Sequence, residues 1–215
     1  MNQLHERIFE ISKKHYLSHL GSSLTAVNII DEIYQTKKDD EIFILSCGHA
    51  GLALYVVLEK YYGFDAEKLY LKHGTHPYRD LEDKIYCSTG SLGMGLGIAV
   101  GVALADREKN VYCLISDGEA FEGIVWETAN AIKRYKVTNL MVYCNWNWYS
   151  AYSDVEGWMM GNLYKIMPNI DIRVDRVEKY GLKGLSAHYV QVGNYITPTI
   201  KTVIYEKDAL IDKIK

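Results

Sequence analysis

The chain has 215 residues, enough for one large α/β domain with a real core. Apolar residues make up 48% and charged residues 24%, and the net charge of −3 leaves no excess of Lys and Arg to neutralise a nucleic-acid backbone. No apolar run approaches the ~18 residues that a membrane-spanning helix needs, so neither nucleic acid nor membrane is an expected partner.

In the first segment, Gln3–Tyr16, residues Leu4, Ile8, Ile11 and Tyr16 fall near helical spacing with charges between them. That predicts an amphipathic helix rather than a signal peptide. Next come a helix over Leu24–Tyr34, a strand at Ile42–Leu45 and a helix over Gly51–Tyr62. Helix Leu92–Ala105, strand Val111–Ile115, helix Glu122–Tyr135 and strand Leu140–Cys144 follow. Strands at Ile170–Val174, Tyr189–Val192 and Ile200–Tyr205 and a short C-terminal helix complete the pattern. Val111–Ile115 and Leu140–Cys144 are continuous apolar runs, as strands buried on both faces must be. The alternation predicts one α/β domain over residues 1–215, a three-layer α/β/α arrangement around a mostly parallel sheet. Cys47, Cys87, Cys113 and Cys144 contain no C-x-x-C pair and are expected to be reduced core thiols of a cytoplasmic protein rather than zinc ligands. The 18 tyrosines and 3 prolines have no functional reading.

In parallel sheets, ligands bind beyond the carboxyl ends of the strands. Those places hold Cys47-Gly48-His49, Ser116-Asp117-Gly118-Glu119 and Asn145-Trp146-Asn147. An Asp leaving a strand into a Gly turn presents a hard oxygen, and Gly118 lets a backbone N–H approach a phosphate. The helix after it aims its N-terminal N–H groups at the same space. Thirty residues on, Asn147 stands just past the next strand. Singly, an Asp-Gly turn is a solvated turn and a loop Asn is exposed. At the ends of adjacent parallel strands the two can share one cation, Mg²⁺ or else Ca²⁺ or Mn²⁺.

Asp117-Gly118, this spacer and Asn147 resemble the thiamine-diphosphate motif, with Ser116 where that motif usually has Gly and an unexplained Trp146 before the Asn. Four further segments are similar to the transketolase family. They are Ser18-His19-Leu20-Gly21-Ser22-Ser23-Leu24, with Ser18 in place of Gly, and Leu45-Ser46-Cys47-Gly48-His49-Ala50 running on to Ala53-Leu54-Tyr55. Then come His76-Pro77, with Thr75 in place of Gly, and Ser88-Thr89-Gly90-Ser91-Leu92-Gly93-Met94-Gly95-Leu96. Asp117-Gly118-Glu119 also continues in the family's manner through Glu122-Gly123 to Trp126-Glu127.

The resemblance implies thiamine diphosphate and a metal held by Asp117, Asn147 and the carbonyl of Tyr149. It places His49, Gly90, Ser91, Leu92, Gly118, Glu119 and Asn147 at the cofactor. His19 and His76 are expected to face a sugar substrate, all three histidines to come from strand-end loops, and Glu122 with Glu127 to form an acidic network joining two active sites. His5, His15, His73 and His188 are expected to be ordinary satisfied residues. The glycines after Gly93 do not fit a dinucleotide-binding register and are expected to serve close helix packing. The implied activity is transfer of a two-carbon ketol unit from a ketose to an aldose, with specialised sugars in view. The alternatives are a 2-oxo-acid decarboxylase or ligase half and a non-catalytic cofactor-binding regulator. The match fades after about Tyr152, and Pro198-Thr199-Ile200 does not lead into the family's usual loop. A separate C-terminal transketolase-like subunit is therefore expected to supply the pyrimidine-binding domain, in a heterotetramer of two copies of each chain.

Overall fold

The structure is a computed structural model and describes residues 2–151 and 153–182. Helix α1 (Gln3–His15) opens with a reciprocal cap in which the Asn2 side chain accepts from the His5 N–H at 3.2 Å. Its apolar stripe, Leu4, Ile8 and Ile11, is buried, as the spacing predicts. Helix α2 (Leu20–Thr36) begins four residues earlier than expected, because His19 turns the chain in the left-handed region (φ 59°) and starts the helix at once. Strand β1 (Ile42–Leu45), a 3-10 turn (Gly48–Ala50) and α3 (Gly51–Tyr62) follow, then α4 (Ala66–His73), α5 (Met94–Ala105) and β2 (Val111–Ser116). A second 3-10 turn (Gly118–Phe121) leads to α6 (Gly123–Arg134), β3 (Leu140–Trp146), α7 (Gly157–Ile166) and β4 (Asp171–Val174).

The four strands form one parallel sheet in the order β1-β2-β3-β4. Alternate side chains of β2 feed two cores. Tyr112 and Leu114 join α1 to α4 on one face, and Val111, Cys113 and Ile115 join α5 to α7 on the other. All six β2 residues are buried, so the expected three-layer arrangement holds. Helices α4 and α7 go beyond the elements that periodicity predicts. Helix α4 is only eight residues long, and its start is fixed by Asp65, which accepts from the N–H groups of Glu67 and Lys68. In α7 the glycines Gly157 and Gly161 dilute the helical signal. The predicted strands Tyr189–Val192 and Ile200–Tyr205 and the C-terminal helix lie outside the described residues. No described helix is long and apolar enough to cross a membrane.

Two facts position the site. In the β2–β3 register Ser116 lies opposite Asn145, so the turns after both strands open side by side. The start of α5 is drawn against the loop after β1, where a Cβ at Gly95 would meet Ser46 Cα at 2.6 Å. The packing role expected of the glycines holds at Gly95; at Gly101 a Cβ would meet nothing within 4 Å.

Candidate active site

At the carboxyl end of the sheet the Asp117 carboxylate is 1% exposed and held by backbone donors. Its Oδ2 accepts from the N–H groups of Asn147 (2.8 Å) and Trp148 (2.6 Å), and its Oδ1 from that of Gly118 (2.9 Å). Asn147 Oδ1 in turn accepts from the Tyr149 N–H at 3.0 Å, closing a tight turn whose middle residue, Trp148, has a φ of 76°. A non-glycine residue there is strained, and such strain persists only where the surroundings impose it. Here the Trp148 ring packs 3.6 Å from the Cβ position of Gly157 and lies under the Arg176 guanidinium at 5.0 Å. The structure thus joins the three expected metal ligands, Asp117, Asn147 and Tyr149, in one hydrogen-bonded unit.

Burial pushes the Asp117 carboxyl up to about 7 against the lowering pull of its backbone donors. Among the described residues no Lys or Arg forms an ion pair with it. A buried carboxylate without a counter-charge, in one hydrogen-bonded unit with the Asn147 side chain, fits a hard divalent cation. The Gly118 N–H, expected to meet a phosphate, donates to Asp117 instead. The stretch after Asp117 is a 3-10 turn, and Glu122 sits at the N-cap of α6 rather than within it. Glu122 is half-buried and Glu127 exposed.

Above this base opens a cleft of about 140 Å³ lined by His19, His49 and His76. The same cleft is walled by Gly90 and Leu92, by Ser116 and Gly118, and by Tyr149. The His19 ring centre lies 5.8 Å from that of His49 and 6.2 Å from that of His76. Only His49 comes from a strand-end loop. His19 caps α2, and His76 belongs to the segment between α4 and α5, so three unrelated pieces of backbone converge. Burial, with His76 nearby, pulls the His19 imidazole below its usual value, leaving it neutral at neutral pH. Its Nδ1 lies 2.9 Å from Ser18 Oγ. Gly90 (φ 157°) brings bare backbone against the His76 ring, 3.4 Å from where a Cβ would stand. Ser91 is exposed and Leu92 half-buried in the turn before α5, which begins at Met94 rather than at Leu92.

Glu119 is placed otherwise than expected. It is fully buried, and its Oε1 accepts from Ser46 Oγ and the Gly93 N–H, both at 2.6 Å, while Oε2 accepts from the Ser116 N–H at 2.8 Å. Its side chain does not line the cleft. It ties together the loop after β1, the start of α5 and the end of β2. Trp146 is also explained: it is 0% exposed in the core of α5 to α7 and meets Trp148 edge to face at 6.0 Å. The Ser46–Gly93–Glu119 tie escapes sequence reasoning, because Ser46 stands in the L-S-x-G-H segment while its partner is 73 residues away. Of the histidines expected to be satisfied residues, His5 and His15 are hydrogen-bonded, whereas His73 bonds only through Nε2 and its buried Nδ1 has no hydrogen-bond partner among the described residues. His5 reaches Leu24 O at 3.1 Å, His15 meets Glu67 at 2.7 Å and His73 meets Asp83 at 2.7 Å; His188 lies outside the described residues. All four cysteines are free and buried.

A family profile described as 1-deoxy-D-xylulose-5-phosphate synthase matches residues 2–211. An apulose-4-phosphate transketolase subunit from Phocaeicola vulgatus is 32% identical over 165 residues, 66% of this chain and 57% of that protein. The 6-deoxy-6-sulfo-D-fructose transketolase subunit SqwG of Clostridium sp. (strain MSTE9) is 31% identical, over 61% of this chain and 55% of that one. The chain therefore spans about half the length of these relatives. The solved structure of the transketolase from Leishmania mexicana shares the fold, with a TM-score of 0.57 at 17% identity over 82% of this chain and 36% of that chain. On the extent of the profile match, joined with these relatives, the chain belongs to the 1-deoxy-D-xylulose-5-phosphate synthase and transketolase N-terminal family.

Proposed function

We propose that this chain is the thiamine-diphosphate and Mg²⁺-binding subunit of a transketolase-like enzyme that moves a two-carbon ketol unit from a ketose to an aldose. The observation that carries the reading is the unit of Asp117, Asn147 and Tyr149, formed across two neighbouring strand ends at the foot of a cleft lined by three histidines. When bound, the cofactor supplies the electron sink for breaking a carbon–carbon bond beside a carbonyl. The protein's own groups divide the remaining work. Asp117, the Asn147 amide oxygen and the Tyr149 carbonyl hold the cation. Backbone of Gly90, Ser91 and Leu92 borders the cofactor, with His49 beside it. His19 and His76 exchange protons with sugar oxygens, a task for which imidazole is suited.

A partner chain supplying the pyrimidine-binding domain, in a heterotetramer, belongs to the same proposal. Two relatives are named as subunits, and the cleft, about 140 Å³, is small beside the ~300–1,000 Å³ of complete ligand sites. One wall of a shared site fits both facts. Met94 and Ile98 on α5 and Phe121 and Ile124, which flank Glu122 in sequence, are exposed apolar residues, and Glu122 is the position expected at the interface between active sites. Substrates of specialised sugar metabolism fit the two relatives' names.

A second reading is favoured by the profile's description. A 1-deoxy-ketose carries a methyl where a ketose carries a hydroxymethyl, so forming one calls for a two-carbon acyl unit such as a 2-oxo acid yields. The test covers both. Calorimetry of the chain with thiamine diphosphate should show binding only with Mg²⁺ present, and the mixture with its partner should turn over a ketose donor. Turnover of a 2-oxo acid in place of the ketose would select the second reading. Robust ketol transfer by the chain alone would end the split-enzyme part, and absence of Mg²⁺-dependent binding would end both.

A further inference from the structure

Three of the chain's departures from the family pattern, Ser18, Thr75 and Ser116, put a hydroxyl where glycine is usual. Of these, Ser116 alone is buried, 3% exposed at the end of β2, and it also lines the cleft. We propose that the Ser116 hydroxyl is a binding group for the cofactor, donating a hydrogen bond to its diphosphate. The inference rests on the reading above that thiamine diphosphate occupies this cleft, and it adds a contact that a glycine cannot make.

The protein itself satisfies this hydroxyl poorly. Its described partner is Glu119 Oε2 at 3.5 Å, beyond the ~2.5–3.0 Å of an ordinary O–H···O bond. Glu119 does not depend on it. Ser46 Oγ and the Gly93 N–H, both at 2.6 Å, and the Ser116 N–H at 2.8 Å already donate to that carboxylate. A hydroxyl rotates about its C–O bond, so the proton can turn to a better acceptor with no movement of the chain. The side-chain-free face of Gly118 lies next to it: Ser116 Oγ is 3.9 Å from where a Cβ on Gly118 would stand, and Gly118 borders the same cleft. The Gly118 N–H is already committed to Asp117 Oδ1 at 2.9 Å, so the backbone donor expected for a phosphate there is taken. The Ser116 hydroxyl supplies a donor in its place. The long contact to Glu119 forfeits strength with distance, whereas a bond of ordinary length to a phosphate oxygen is charge-assisted, so turning the proton to the ligand is favourable.

The test titrates the full chain by calorimetry, in the presence of Mg²⁺, with either thiamine diphosphate or inorganic pyrophosphate. Ser116→Ala removes the hydroxyl and keeps the Cβ, while Ser116→Gly restores the family's usual residue. Both variants should bind each ligand about ten- to a hundredfold more weakly than the unmodified chain, the worth of one hydrogen bond to a charged group. The melting temperature without ligand should not change. Unaltered affinity in Ser116→Ala overturns the proposal. Tighter binding by Ser116→Gly overturns it too, because the serine would then be crowding the diphosphate. A loss confined to thiamine diphosphate, with pyrophosphate unaffected, places the contact elsewhere on the cofactor and has the same consequence. So does a melting temperature that falls along with affinity, which would make Ser116 part of the tie around Glu119. If the unmodified chain binds neither ligand, this proposal and the functional reading fail together. The expected losses with no ketol transfer by the assembled enzyme would defeat the functional reading alone and leave the diphosphate contact standing.

Discussion

The base of the site and its rim are built by opposite rules. In the base, Asp117, Glu119 and Asn147 are all but inaccessible, and every described hydrogen bond to their side-chain oxygens comes from backbone N–H groups or from Ser46 and Ser116. At the rim, His19 and His49 are half-buried and His76 is exposed, and the three hang from separate pieces of chain. A buried charge must be satisfied from within the protein, so its surroundings become rigid. A proton-transfer group must reach substrate, so it stays at the surface and depends on loops for its aim. Burial raises both carboxyls and each accepts from several donors, but the two acids differ in what they join: Glu119 ties the loop after β1, the start of α5 and the end of β2, while Asp117 is bonded to the turn of Asn147 and Trp148.

Removing Asp117 should break the base at its functional end. In Asp117→Ala, Mg²⁺-dependent binding of thiamine diphosphate should disappear, because the diphosphate loses its bridging cation. Calorimetry decides it: near-normal affinity in this variant would show that the ligand assignment is wrong. Truncating the rim should do the reverse. His76→Ala is expected to lower kcat of the assembled enzyme by about 10²–10⁴-fold, the usual worth of a proton-transfer group, while cofactor affinity and melting temperature hold. If cofactor binding fell in proportion, the rim would prove to be part of the base. The smallest effect sharpens the contrast between the two acids. Glu119→Gln turns an amide N–H₂ towards the donors that surround it, and should cost about 1–3 kcal/mol in denaturant unfolding. A variant as stable as the parent would mean that the tie contributes nothing to holding the three segments together.

The sequence carries most of the sheet because β1, β2 and β3 are short apolar runs bounded by polar turns, and period alone finds such runs. It also carries the adjacency of Asp117 and Asn147, which follow strands that the β-α-β rule sets side by side, whereas Tyr149 enters only through the resemblance. What it does not carry is long-range pairing. Nothing local marks Glu119 as the partner of Ser46 and Gly93, so a carboxylate beside a metal turn reads as a cofactor contact. Trp146 is opaque for a related reason: alternation sends it to the core face of β3, but only the packed structure shows Trp148 and α7 waiting there. The convergence of the histidines follows from the resemblance, whereas their origins in a helix cap and an interhelical segment emerge only from the fold.

The four buried thiols give the chain a built-in clock. Burial pushes the Cys47, Cys113 and Cys144 thiols well above their usual range, so as long as the fold is closed each is both hidden and protonated. Alkylation can then proceed only through opening, and its rate measures how often a given layer of the sheet parts. Cys113 on β2 and Cys144 on β3 report the centre of the sheet, Cys47 the foot of the His49 loop, and Cys87 the long segment that carries His76. A single protein without engineered labels therefore contains four stopwatches at known depths beneath one site.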